Sequence, residues 1–135
     1  MKIIIETPKY SFFKYENIEG KYRKIMFSPI PTLFNYGYID GTKGPDGMPV
    51  DVAVFGPRLA KGAVIERDDD QKFDGVIRFV DDSLRDDKNI IYVSGFRNTF
   101  FLSLYLRIYA RYKFFRYLIS KRKVTQCRFE GIEWY

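Results

Sequence analysis

The chain has 135 residues, of which 46% are apolar and 30% charged, with a net charge of +6. That size and mix fit one soluble globular domain spanning residues 1–135 and argue against disorder. With no histidine and a single cysteine, Cys127, the chain has no imidazole-based triad, none of the common histidine-bearing zinc centres and no intrachain disulfide.

In chain order, Lys2–Glu6 is a β-branched run that predicts a strand. Tyr10–Tyr15 and Tyr22–Phe27 flank Asn17 and Gly20, which predicts a hairpin. Pro29 and Pro31 interrupt the pattern before the aromatic strand Phe34–Ile39. Asp40–Pro49 holds three glycines and two prolines and reads as a loop, leading into a buried strand, Val50–Phe55. Ala63–Glu66 and Gly75–Val80 are expected to pair around the acidic turn 67–74. Asp81–Lys88 reads as a polar linker or short helix, and Ile90–Val93 as a brief strand. Asn98 or Thr99 would cap a helix running to about Lys121, with Leu102, Tyr105, Leu106, Tyr109 and Tyr112 on one stripe. Val124–Phe129 is the expected last strand, with Cys127 a buried small residue inside it. The sum is an α+β, mainly β fold: a small distorted β-barrel, OB-like, with one principal C-terminal helix.

The two signs of charge are segregated. Eleven carboxylates fall between Asp46 and Asp87, whereas nine Lys or Arg and no Asp or Glu fall between Arg97 and Arg128. A basic helix after an acidic segment fits a nucleic-acid or membrane-facing helix, a metal cluster faced by cations, or a solvated face. The apolar stretch Phe100–Ile119 carries Arg107, Arg111, Lys113 and Arg116, which argues against a membrane span. No targeting segment is visible at the N-terminus, and a lone cysteine fits the cytoplasm. The carboxylates Glu6, Asp46, Asp51, Asp69 and Asp74 fall at predicted strand ends and turns. Such positions suit Mg²⁺ or Mn²⁺, which prefer hard oxygen ligands. They equally suit ordinary solvated turns.

The segment Asn35-Tyr36-Gly37-Tyr38-Ile39, then Gly41-Thr42, then Asp46-Gly47-Met48-Pro49-Val50-Asp51-Val52 closely resembles the soluble family I inorganic pyrophosphatases. Lys14-Tyr15-Glu16, Asp69-x4-Asp74, Tyr112-Lys113 and Glu130-Gly131 resemble further segments of that family, in the same order. The resemblance implies a Mg²⁺-dependent hydrolase (Mn²⁺ being an alternative ion) that cleaves pyrophosphate into two phosphates. It implies metal binding by Asp46, Asp51, Asp69 and Asp74, with Glu6 and Glu16 as metal-linked glutamates. Lys14, Lys24, Tyr36, Tyr112 and Lys113 would hold phosphate oxygens, and Asp51 and Tyr36 would take part in catalysis. Prokaryotic members associate into hexamers, so a homo-oligomer is implied, with the aromatics of Phe100–Ile119 in the core or at a subunit contact. The assignment requires Asp46, Asp51, Asp69 and Asp74 to converge.

The chain also departs from the family pattern. Met48 stands where the family has an aspartate that helps deprotonate the attacking water. Lys24 stands in place of an arginine, losing the bidentate fork. Val76 stands where a lysine follows the acidic turn by two residues, the interval from Asp51 to Asp69 is short, and the chain ends soon after Trp134. Position 48 predicts a slow enzyme, or a relative that binds metal and phosphate without turnover. Nucleic-acid binding through the basic helix is the third reading, without a recognisable motif to carry it; neither a nucleic-acid nor a membrane partner is expected.

Overall fold

The structure, a computed structural model, describes residues 1–44, 47–70 and 72–135. Ten strands and one helix follow in order: β1 (Lys2–Thr7), β2 (Phe13–Ile18), β3 (Lys21–Phe27), β4 (Asn35–Ile39), β5 (Asp51–Phe55), β6 (Val64–Glu66), β7 (Gly75–Asp81), β8 (Leu84–Arg85), β9 (Lys88–Tyr92), α1 (Thr99–Ser120) and β10 (Arg128–Trp134). The main sheet runs β10-β7-β9-β5-β4-β1-β6, with β8 paired to β7, and β2 and β3 form a separate hairpin. The mainly β character and the single long helix are as the sequence predicts. The hydrogen-bonded path is open, however: among the described residues no ladder joins β6 to β10, so the strands do not close into a barrel.

Two strand pairings differ from expectation. β6 pairs with β1, while β7 pairs with β10, β9 and β8, so the segment 67–74 does not join two paired strands. The true acidic hairpin is the next one. Asp81 and Leu84 close a tight β7–β8 turn, where Asp82 and Ser83 both take positive φ. Asp81–Lys88 is therefore neither linker nor helix. The last strand starts at Arg128, leaving Cys127 half-buried just before it.

The core forms on both faces of the sheet. Ile3, Ile5, Ile39, Val52, Val54 and Ile91 pack together on one side. Phe34, Tyr36, Ala53, Phe55, Ile77 and Ile90 pack on the other, against Leu102 and Leu106 of α1. The alternation along β5 feeds both clusters, as expected of a central strand. Asn98 caps α1, its side chain accepting from the Phe101 N–H at 3.1 Å. The buried helix stripe is Leu102, Leu106, Ala110 and Lys113; Tyr105 packs only at its margin, half-buried. No described helix is long and apolar enough to cross a membrane.

Candidate active site

The antiparallel β4–β5 pair sets Tyr38 opposite Asp51 and Tyr36 opposite Ala53. Period-2 alternation puts Tyr36, Tyr38 and Asp40 on one face. These side chains, with Asp51, line an open cleft of about 400 Å³ that also takes in Glu6 from β1, Lys14 and Glu16 from β2, and Asp86 from the β8–β9 connection. Met48 and Pro49 form its lip, Met48 half-exposed.

Asp51 and Asp86 form the close carboxylate pair. Burial lifts the Asp51 carboxyl to about 7; Lys88 opposes the shift and Asp86 adds to it. Burial also disfavours the Asp86 anion, but the Lys88 ammonium at 2.8 Å outweighs it and holds Asp86 well below the usual carboxylate range. Lys88 reaches Asp51 as well, at 3.9 Å. The Tyr36 hydroxyl donates to Asp51 Oδ2 at 3.2 Å, and burial beside Asp51 keeps that phenol protonated. Two close carboxylates that keep one proton between them up to about pH 7 are a site short of positive charge.

A wall of lysines stands beside the pair. Lys14 Nζ lies 4.7 Å from the centre of the Tyr36 ring. Burial and the nearby Lys113 ammonium lower its pKa. Lys113 projects from the buried face of α1 and forms an ion pair with Asp81. Burial works against the Lys113 charge, yet Tyr109 and Asp81 hold it protonated; burial likewise works against the Asp81 anion, and Lys113 holds it ionised. Across the cleft Glu6 accepts the Asn17 N–H at 2.6 Å. Burial raises the Glu6 carboxyl, and the neighbouring Glu16 adds to that shift.

The predicted ligands thus separate into two groups. Asp51, Glu6, Glu16, Lys14 and Tyr36 are brought together, with Lys113 behind them. Asp69 is not: it is 90% exposed and pairs with the N-terminal ammonium at 2.7 Å. Asp74 is not either, since its Oδ2 accepts the Tyr92 N–H at 2.7 Å and so ties β7 to β9. Both fail for one reason, namely that β6 and β7 are not paired, and neither Asp69 nor Asp74 lines the cleft. Asp46 lies outside the described residues. Tyr112 donates to the Phe27 carbonyl at 2.5 Å, and Lys24 rests over the Phe13 ring at 4.2 Å; neither lines the cleft.

Three residues at the site escaped the sequence reading: Asp81, Asp86 and Lys88. The signal was present. Asp81-x4-Asp86 repeats the spacing of Asp69-x4-Asp74, and only the second copy is followed two residues later by a lysine. With that register the apparent loss at Val76 disappears, and so does the short interval after Asp51.

A family model described as inorganic pyrophosphatase matches residues 3–100. The chain belongs to the inorganic pyrophosphatase family. The Corynebacterium glutamicum inorganic pyrophosphatase is 34% identical over 93 residues, covering 65% of this chain and 56% of that one. The Sulfolobus acidocaldarius inorganic pyrophosphatase is 38% identical over 71 residues, 49% of this chain and 41% of that one. The matched part of the chain thus spans between about a third and a little more than half of the length of its curated relatives. The inorganic pyrophosphatase crystal structures from Neisseria gonorrhoeae and Thermus thermophilus superpose with TM-scores of 0.73 and 0.72, at 21% and 20% identity, over 99% of this chain and 82% of each of theirs. That likeness establishes the pyrophosphatase fold, OB-like and mainly β.

The donor set fits a divalent cation. No three described carboxylates already converge on one point. Mg²⁺, though, is commonly held by one or two carboxylates plus waters and substrate phosphates, without a closed protein cage. Asp51 and Asp86 supply such a pair of hard oxygen donors, within one cleft with Glu6 and Glu16.

Proposed function

We propose that this chain hydrolyses inorganic pyrophosphate to two phosphates, in the cytoplasm, with Mg²⁺ as its metal and Mn²⁺ as a substitute. The observation that carries the reading is the Asp51–Asp86 pair, bridged by Lys88 and flanked by Tyr36, at the floor of a carboxylate-lined cleft. Asp51 and Asp86 would hold the cation, with Glu6 and Glu16 facing them and Asp46 added by its place in the motif. When bound, the cation neutralises phosphoryl charge and makes water a better nucleophile.

The chain's own residues do the rest. Lys14 and Lys113 offer positive charge to phosphate oxygens, and positioning plus charge neutralisation is most of phosphoryl-transfer catalysis. Tyr36 donates to Asp51 and fixes its orientation. In the reaction a water oxygen bonds to one phosphorus while the bridging P–O bond breaks, and the water's proton passes to a base. Met48, on the lip of the cleft, cannot accept that proton. General-base help contributes about 10²–10⁴-fold, so turnover is slow.

Phosphate release with Mg²⁺ tests this reading. Native chain should release phosphate slowly, Asp51→Asn and Asp86→Asn should abolish release, and Met48→Asp should raise the rate at least tenfold. Loss of release in Asp74→Asn with retention in Asp86→Asn would overturn the assignment of the cation pair. Met48 also favours a second reading, a relative that binds metal and phosphate without turnover. There the native chain releases nothing, although pyrophosphate binding survives. A homo-oligomer, hexameric as in prokaryotic relatives, belongs to the same proposal and is read by light scattering.

A further inference from the structure

Among the described residues five carboxylates line the cleft: Glu6, Glu16, Asp40, Asp51 and Asp86. Their engagements differ. Asp51 accepts the Tyr36 hydroxyl and stands near Lys88, Asp86 is paired with Lys88, and Glu6 accepts the Asn17 N–H. Asp40 is engaged by nothing of this kind. Its side chain is exposed, and no hydrogen bond or ion pair among the described residues involves it. A carboxylate in that state has all its lone pairs open to a water proton. Glu16 is the other cleft carboxylate without such a partner among the described residues, but it stands on β2 beside Glu6, on the wall facing the Asp51–Asp86 pair.

The backbone that carries Asp40 is fixed. Its N–H donates to the Lys2 carbonyl at 2.9 Å, and the Ile39 N–H donates to the Val50 carbonyl at 2.9 Å. The Thr42 hydroxyl clasps the turn that follows, donating to the Ile39 carbonyl at 2.6 Å and accepting the Val50 N–H at 3.0 Å. The β4–β5 register, carried on past the Tyr38–Asp51 pair, sets Asp40 abreast of Pro49. Asp40 is thus beside position 48 and diagonal to Asp51 on the cleft face. Diagonal neighbours on paired strands lie about 7–8 Å apart. A water hydrogen-bonded to both carboxylates spans about 6 Å, two bonds of about 3 Å each, so one water fits between them.

We propose that Asp40 is the general base of this chain, filling the role that Met48 cannot. The inference rests on the pyrophosphatase reading above. The attacking water lies between Asp51 and Asp40. Its oxygen bonds to one phosphorus, and the bridging P–O bond breaks with its electron pair leaving on the second phosphate. The water's proton passes to an Asp40 carboxylate oxygen, which then returns it to solvent. Because no neighbouring group orients the Asp40 carboxylate, it supplies only part of the about 10²–10⁴-fold that a positioned base contributes. Native turnover is therefore slow without being absent.

The test is a double-mutant cycle on phosphate release from pyrophosphate with Mg²⁺, using the native chain, Asp40→Asn, Met48→Asp and the two changes together. Asp40→Asn should lower kcat at least about tenfold and leave KM within about twofold. In the Met48→Asp background the same change should lower kcat less than about threefold, because a carboxylate at position 48 then takes the proton. A structural role for Asp40 would give equal losses in both backgrounds and overturn the proposal. A second readout does not depend on turnover: the rise in melting temperature with Mg²⁺ should be the same in Asp40→Asn as in the native chain. A rise lost in Asp40→Asn would make Asp40 a cation ligand and overturn the proposal, as would a kcat unchanged in Asp40→Asn. Release from Met48→Asp but none from the native chain also overturns it, while leaving the reading of the cleft intact. Release from neither strikes the hydrolase reading itself, and the proposal with it.

Discussion

At the scale of single residues, burial holds the Asp51 carboxyl near 7 against the pull of Lys88, and Asp86 is held low by the same ammonium. The two shifts act on stability with opposite signs. Asp51 has a folded-state value above its unfolded value of 3.8, so its contribution is present below about pH 4 and is lost as pH rises toward 7. Asp86 has a depressed folded-state value, so its contribution is present above about pH 4 and is lost as pH falls below that. The pair is therefore most favourable near pH 4. Without divalent cations, melting temperature should be lower at pH 8 than at pH 5 by more in the native chain than in Asp51→Asn. Equal pH dependence in the two would show that Asp51 does not carry the proton.

At the scale of elements, Gly37 explains why the Asn35–Ile39 strand tolerates no larger residue at its centre. A Cβ there would lie 2.2 Å from the Ile4 carbonyl oxygen, a backbone atom of β1 that cannot rotate away. Gly37→Ala should force β1 from β4, costing about 2–3 kcal/mol by the usual scale of overpacking, as read in urea denaturation. It should also loosen the cleft, because Glu6 is on β1. This strand, the helix with its Asn98 cap and the β2–β3 hairpin were legible in the sequence, since each is written in local periodicity and turn chemistry. The partners of β6 and β7 were not. Ala63–Glu66 and Gly75–Val80 look like hairpin arms, but β1 and β9 compete for them, and which pairing wins is a tertiary matter. The misplaced ligands follow from that single error. Asp69 and Asp74 fit the expected spacing as well as Asp81 and Asp86 do, and the deciding residue, Lys88, lay within a segment read as linker. The lysine at position 113 was legible only through resemblance; in the helix periodicity it occupies a core position, buried there with Asp81 as its counter-ion.

At the scale of the whole molecule, the cleft collects carboxylates from elements far apart in the chain: Glu6 from β1, Glu16 from β2, Asp51 from β5 and Asp86 just before β9. A cation held among them ties the hairpin to the main sheet, and any ligand that binds only the folded chain stabilises it by mass action. At a hundredfold excess over its dissociation constant, Mg²⁺ should add about 2.7 kcal/mol, a rise of about 10 °C in melting temperature for a domain of this size. A chelator should reverse the rise. The shift should be larger at pH 8 than at pH 6, because the cation must displace the proton on the Asp51–Asp86 pair. Asp86→Asn should remove it. Asp74→Asn should leave it intact, because the amide oxygen can still accept the Tyr92 N–H. The opposite pattern, a shift lost in Asp74→Asn and kept in Asp86→Asn, would place the cation on the 67–74 turn and reverse the register drawn from the β7–β8 hairpin. This experiment separates metal binding from turnover, so it remains decisive even if Met48 leaves the chain too slow to assay.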